Sequence, residues 1–173
     1  MLTAADGYRQ AMVGTVGLYD ADGERLHTIY TAAEPEYGKE TFLNRLENEI
    51  SRVKRLFPGA EYVGLADGAK ENWTFLEDHT SAQIIDFFHA AEYIVKAGRA
   101  ALEKKEEREA WIRSRCHALK HESGAAEKIR LEMSGFPENR LPEEKKKTVS
   151  SAVTCYKNNC HRMKYAENTE INI

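Results

Sequence analysis

The spacing of apolar and polar positions changes twice along the chain. Ala11 to Tyr19 (AMVGTVGLY) and Glu24 to Ala32 (ERLHTIYTA) are rich in β-branched and aromatic residues, and Asp20-Ala-Asp-Gly23 lies between them. Two such runs around a turn-forming Gly predict a β-hairpin. From Lys39 to Phe57 the apolar set Phe42, Leu43, Leu46, Ile50, Val53, Leu56 and Phe57 recurs at helical spacing until Pro58-Gly59, which predicts a helix with a defined stop. Glu61 to Ala66 (EYVGLA) is too short for a helix and predicts a strand ending at Asp67-Gly68. A brief helix around Trp73, Phe75 and Leu76 follows, then a second short buried strand, Gln83 to Phe88 (QIIDFF), and a helix over His89 to Lys105.

Strands that alternate with helices predict parallel pairing. The hairpin would lie antiparallel beside that pair, which makes the front of the chain an α/β mixed sheet. Beyond Lys105 the pattern is helical, broken at Ser123-Gly124 and again from Met133 to Pro142, where Gly135, Pro137 and Pro142 fall close together. The final predicted helix, Glu143 to Ala166, puts Val149, Ala152, Val153, Tyr156, Cys160 and Met163 on one stripe and leaves Lys145, Lys146, Lys157 and Lys164 mostly off it. The expected organisation is a sheet-bearing part, residues 1–95, followed by a helical extension, residues 96–173.

Charge sharpens that division. Across 173 residues, 25 Lys and Arg face 28 Asp and Glu, for a net charge of -3. Residues 1–95 hold 8 basic and 16 acidic side chains and residues 96–173 hold 17 and 12, so an acidic front (-8) precedes a basic back (+5). Between Arg140 and Tyr165 seven Lys and Arg, among them Lys147 and Arg162, meet only Glu143 and Glu144. Such a surface can neutralise phosphates; the alternative is an ordinary solvated helix face. No apolar run approaches the ~20 residues of a membrane span and the first residues lack a secretory pattern, so no membrane partner and a cytoplasmic location are expected. Three Cys without a disulfide spacing suit a reducing compartment.

The candidate chemistry sits at strand ends. A carboxylate following a parallel strand stands at the sheet edge where ligands bind in open α/β folds, and hard oxygen ligands of that kind suit Mg²⁺. Asp67 occupies such a position, although Asp-Gly is also an ordinary turn pair. Asp86 and His89 form an Asp-Phe-Phe-His step in which carboxylate and imidazole can meet across one helical turn; the alternative is an Asp that caps the helix containing His89. His117 and His121 are spaced to share a metal, but no Cys or carboxylate pattern completes a zinc site. Cys155 and Cys160 lie about 140° apart on a helix of 3.6 residues per turn, so they read as packing thiols. No P-loop, Gly-x-Gly-x-x-Gly, Gly-x-Ser-x-Gly or His-Glu-x-x-His motif occurs.

Four stretches, in order, carry a family resemblance. Leu65 to Glu92 (LADGAKENWTFLEDHTSAQIIDFFHAAE) resembles the core of bacterial insertion-sequence transposases of the ISKra type, DDE enzymes with an RNase H-like catalytic domain. Ala11 to Ile29 is similar to their second and third strands, Arg115 to Ile129 (RCHALKHESGAAEKI) to their helical insertion, and Asn158 to Glu167 (NNCHRMKYAE) to the run before their last acidic motif. The resemblance implies that Asp67 is the second metal-binding carboxylate of the triad and that Asp86 and His89 match the Asp/Cys-x-x-His signature after it. It implies Mg²⁺ as cofactor and DNA as substrate: two ions held by three carboxylates activate water or a 3′-hydroxyl for in-line attack on a phosphodiester. Lys145, Lys146, Lys147, Lys157, Arg162 and Lys164 would hold the backbone.

The same comparison implies that two acids have no counterpart. The first catalytic Asp of the family lies on a strand upstream of the hairpin, whereas Met1 to Gln10 aligns just ahead of Ala11, and Asp6 is no match for it. The third acid follows the HRMKYAE-like run, where this chain reads ENTEINI, and neither Glu167 nor Glu170 matches. The expectation is an incomplete RNase H-like mixed sheet with a C-terminal helical extension, truncated at both ends and inactive alone. Its expected partners are DNA and either a second copy or a full-length transposase. The alternative is a non-catalytic module that binds DNA or pairs with a transposase.

Overall fold

The computed structural model describes residues 3–4, 7–8, 11–34, 38–137, 139 and 141–167. Two two-residue strands, β1 (Thr3–Ala4) and β2 (Gly7–Tyr8), pair antiparallel ahead of the main elements. Asp6 and Glu170, which match neither missing acid of the family, lie outside the described residues, whereas Glu167 is described, exposed, and accepts a hydrogen bond from Ser123 Oγ.

The hairpin forms as its sequence demands. β3 (Met12–Tyr19) and β4 (Arg25–Ala33) pair antiparallel with Gly14 opposite Thr31 and Val16 opposite Ile29. Asp20 builds the turn: its Oδ1 accepts from the Asp22 amide at 3.0 Å and the Glu24 amide at 2.8 Å, and Gly23 takes a φ of 81°. Along β3 the residues alternate between half-buried and exposed, as a strand covered on one face must. The cover is α1 (Gly38–Leu56). A Cβ at Gly14 would lie 3.0 Å from Phe42 Cζ and 3.1 Å from Leu46 Cδ2, so the missing side chain is what lets this helix approach the strand.

The chain divides into two compact units, one up to Glu61 and one from Tyr62 onward. The charge boundary at residues 95 and 96 falls inside a single helix of the second unit, whose buried face runs through both sides of it. That unit opens with β5 (Val63–Ala66), α2 (Lys70–His79) and β6 (Ala82–Ile85), and the two strands pair parallel from Val63 with Ala82 to Ala66 with Ile85. Among the described residues the ladders form three separate two-stranded sheets where one mixed sheet was expected. The second strand stops at Ile85 and not at Phe88, because the Asp86 side chain caps the next helix and draws Phe87 and Phe88 into its first turn.

Four helices then close a bundle: α3 (Phe87–Ala101), α4 (Lys105–His121), α5 (Ala125–Ser134) and α6 (Glu143–Asn159). α3 packs on α4 and α6, and α5 packs on the same two. Ile94, Ala97, Leu119, Ile129, Met133, Ala152 and Tyr156 fill the centre, and Val149 of α6 is likewise fully buried. Tyr156 brings a phenol into that apolar space and satisfies it by donating to the Ala90 carbonyl at 3.1 Å, as a buried hydroxyl requires. Burial, with the nearby Tyr165 and cysteines, pushes its ionisation far above the ordinary phenol range.

α6 ends at Asn159, seven residues before the predicted end. The Asn159 side chain donates from Nδ2 to the Cys155 carbonyl at 2.9 Å, occupying a group of the last turn, and a 3-10 turn over Cys160–Arg162 redirects the chain. The segment beyond lies on the parallel pair: Tyr165 donates its hydroxyl to the Ile85 carbonyl at 2.9 Å, and Met163 is buried. No described helix is long and apolar enough to cross a membrane.

Gly98 sets the spacing of α3 and α4. A Cβ there would sit 2.9 Å from Ile112 Cγ1 and 3.1 Å from the Trp111 ring. Gly98→Ala should therefore cost about 1–3 kcal/mol through overpacking despite its better helix propensity, read as a lower midpoint in urea unfolding; an unchanged or higher midpoint would refute this tight packing.

Candidate site at the carboxyl edge of the parallel strands

Parallel strands leave their sheet at the same end, so the residues after β5 and β6 become neighbours. The Asp86 amide donates to the Ala66 carbonyl at 2.8 Å, one rung past the ladder. This places Asp67 and Asp86 on the same edge, as the sequence predicts. Gly68 follows Asp67 with a φ of 88°, a conformation that a side chain would strain. A Cβ on Gly68 would meet Ile85 Cδ1 at 2.9 Å and would lie 3.6 Å from His89 Nε2. The imidazole therefore rests against the Asp67-Gly68 loop, and Asp67, Asp86 and His89 share one edge.

Each group also has a local duty. Asp67 is exposed, and its Oδ1 accepts from the Ala69 amide at 3.2 Å and from Asn72 Nδ2 at 3.0 Å, which folds the loop into the start of α2. Asp86 Oδ1 accepts from the His89 amide at 2.7 Å and caps α3. The capping role weighed for Asp86 is thus realised, without removing it from the edge. The half-buried His89 ring stands edge-on to Tyr93, with centroids 5.3 Å apart.

Magnesium chemistry of the two-ion type needs several carboxylates converging on two sites. Here one oxygen of each Asp is already engaged in shaping the backbone. Among the described residues no three His, Cys, Asp or Glu side chains converge to hold a metal. Among the described residues the donor set does not fit a two-ion centre. His117 and His121 do meet on α4, their rings tilted at 43° with centroids 4.6 Å apart, and both are exposed with no third donor described beside them.

The basic residues separate into two groups. Lys145, Lys147, Lys157 and Lys164 are exposed, and Lys146 pairs with Glu143. Lys164 approaches Glu167 at 3.9 Å. Arg162 is different: its guanidinium stacks over the Trp73 ring at 4.5 Å, donates to Glu77 Oε1 at 3.0 Å and is only 11% exposed. It ties the C-terminal segment to α2 and, unlike the lysines, is largely withdrawn from solvent. Its neighbour Tyr165, which stacks edge-on to Phe87 beside Asp86, carried no sign of a role beyond its place in the NNCHRMKYAE run.

No family model, curated protein or solved structure matches this chain. The three cysteines are free, and they behave as packing groups. Burial pushes all three thiols up, and Cys160, which also donates to Glu127 at 3.4 Å, reaches about 11. Glu127 itself is held down to about 2, chiefly by Arg130.

Two outcomes follow for this unit. Asp86→Ala should cost about 1 kcal/mol by uncapping α3 while Asp86→Asn costs far less, measured by thermal melts; equal losses would mean that the cap contributes nothing. The raised Cys160 value stabilises the fold below the ordinary thiol range, and that contribution is lost as pH rises toward 11. Near pH 8, iodoacetamide should accordingly modify native Cys160 far more slowly than the urea-unfolded chain, with peptide mass mapping as the readout and equal rates as the contrary result.

Proposed function

We propose that this chain is core sequence of a DDE-type insertion-sequence transposase, with an RNase H-like origin for its strands, and that the 173-residue polypeptide holds DNA without cutting it. The observation that supports this reading best is the shared edge: Asp67 and Asp86 follow adjacent parallel strands, and the His89 ring lies against the loop between Asp67 and α2. Asp67 is the second carboxylate of the triad in this reading. Asp86 positions His89 through the helix cap, and His89 closes the edge from the α3 side. The exposed lysines of α6 and the segment after it supply the attraction for a phosphate backbone.

A second reading, a non-catalytic module that binds DNA or pairs with a transposase, is favoured by one specific feature. Both Asp67 and Asp86 already engage an oxygen in local hydrogen bonds. The DNA flanking the gene separates the two readings: an upstream Asp-bearing strand and a downstream Gly-Ser-Gly segment with an acid belong to the first and not to the second.

The purified chain, titrated with duplex DNA at increasing salt, should lose affinity with a slope of about -3 to -4 in log–log form, as expected for four phosphate contacts at ~0.9 each. It should leave supercoiled plasmid intact in Mg²⁺ or Mn²⁺. Robust nicking abolished by Asp67→Ala would overturn the inactivity, and absence of salt-dependent binding would overturn DNA as the partner.

A further inference from the structure

The packing of α3 against α6 leaves an open groove of about 620 Å³ lined by Tyr93, Lys146, Lys147, Ser150, Ser151 and Thr154. On α6 these residues fall at i, i+1, i+4, i+5 and i+8, a single face two turns long. It carries two ammonium groups and three hydroxyls, donors that suit phosphate oxygens and have no bias for a base. Lys96 stands on α3 at the same side, its Nζ 5.4 Å from the Tyr93 ring centroid. The acids at the margin, Glu92 and Glu143, are each paired with a lysine, Lys96 and Lys146.

The direction of the groove matters more than its composition. α6 runs back along α3, since the Tyr156 hydroxyl reaches Ala90 near the start of α3 while Lys146 and Lys147 lie three turns earlier on α6. Tyr93 lines the groove and touches His89, and His89 touches the Asp67-Gly68 loop. Lys157, exposed and eleven residues after Lys146, continues the same stripe toward that end. From Lys146 to Lys157 the helix spans ~16 Å at 1.5 Å per residue, the length of about five nucleotides at 3.4 Å per step of one strand.

We propose that the α3–α6 groove seats the sugar-phosphate backbone of DNA and leads it past Tyr93 to the edge that carries Asp67 and His89. The inference rests on the reading of the chain as a DNA-holding protein and assigns where on its surface that strand runs. Specificity for sequence is not part of it, because hydroxyls and ammonium groups read the backbone.

The full chain is tested by fluorescence anisotropy with a short fluorescein-labelled duplex across a salt series. Lys146→Gln/Lys147→Gln should weaken binding about tenfold at low salt and reduce the salt slope by about 1 or more, the share of the exposed Lys147 plus whatever Lys146 contributes when it turns from Glu143 to a phosphate. Ser150→Glu/Thr154→Glu should weaken it further, while Arg113→Gln/Lys128→Gln, which removes two exposed charges from α4 and α5, should change it less than twofold. Amide NMR of the unmodified chain should show duplex-induced shifts at 93, 150 and 154 that continue to 89 and 68. Wild-type affinity in both groove variants, or shifts confined to residues away from α3 and α6, overturns the groove while leaving DNA binding in place. Failure of the unmodified chain to bind the duplex removes both the groove and the reading beneath it.

Discussion

One hydrogen bond beyond the parallel ladder, from the Asp86 amide to the Ala66 carbonyl, fixes everything that is chemically suggestive in this protein. Two strands of four residues are marginal by themselves. They persist because other groups clamp them. Leu76 of α2 presses on Gly64, where a Cβ would come within 3.0 Å of its Cδ2, and Ile85 is fully buried in the core. Burying such a side chain is worth about 1.5–3 kcal/mol, comparable to what the short ladder can supply. With the strands parallel, the chain leaves β5 and β6 at the same end, and Asp67, Asp86 and His89 become neighbours.

The segment after α6 acts as the second clamp. Tyr165 closes the carbonyl at the end of β6, and Arg162 bridges from the Trp73 ring to Glu77. A cation held over an aromatic ring and largely withdrawn from water is a stronger tie than a surface ion pair. The bundle and the strand pair are thereby joined through side chains near the very edge that the candidate site occupies. The remaining lysines point outward, so the same helix that completes the core also presents positive charge.

The elements were legible where local chemistry and burial agree. The hairpin turn followed from Asp20 and Gly23, the stop of α1 from Pro58-Gly59, and the core stripe of α6 from Val149, Ala152 and Tyr156. Strand ends were less legible. Phe87 and Phe88 read as strand because they are apolar and aromatic, yet a cap three residues before His89 outweighs that propensity. Arg162 read as surface charge because no local pattern reveals a partner 85 residues away in sequence. The neighbours Asp67 and His89 could be anticipated from strand order alone, whereas the contact through Gly68 and Tyr93 could not, since it depends on the crossing of α3 over the loop.

The most direct measurement of the account is a nuclear Overhauser spectrum of the intact chain, read at the His89 imidazole. Cross-peaks from its ring protons to the α-protons of Gly68 and to the Tyr93 ring are predicted, together with slow exchange of the Asp86 amide. An imidazole with contacts only to other parts of the molecule, and an Asp86 amide that exchanges as freely as an exposed one, would contradict the shared edge and with it the functional reading built on it.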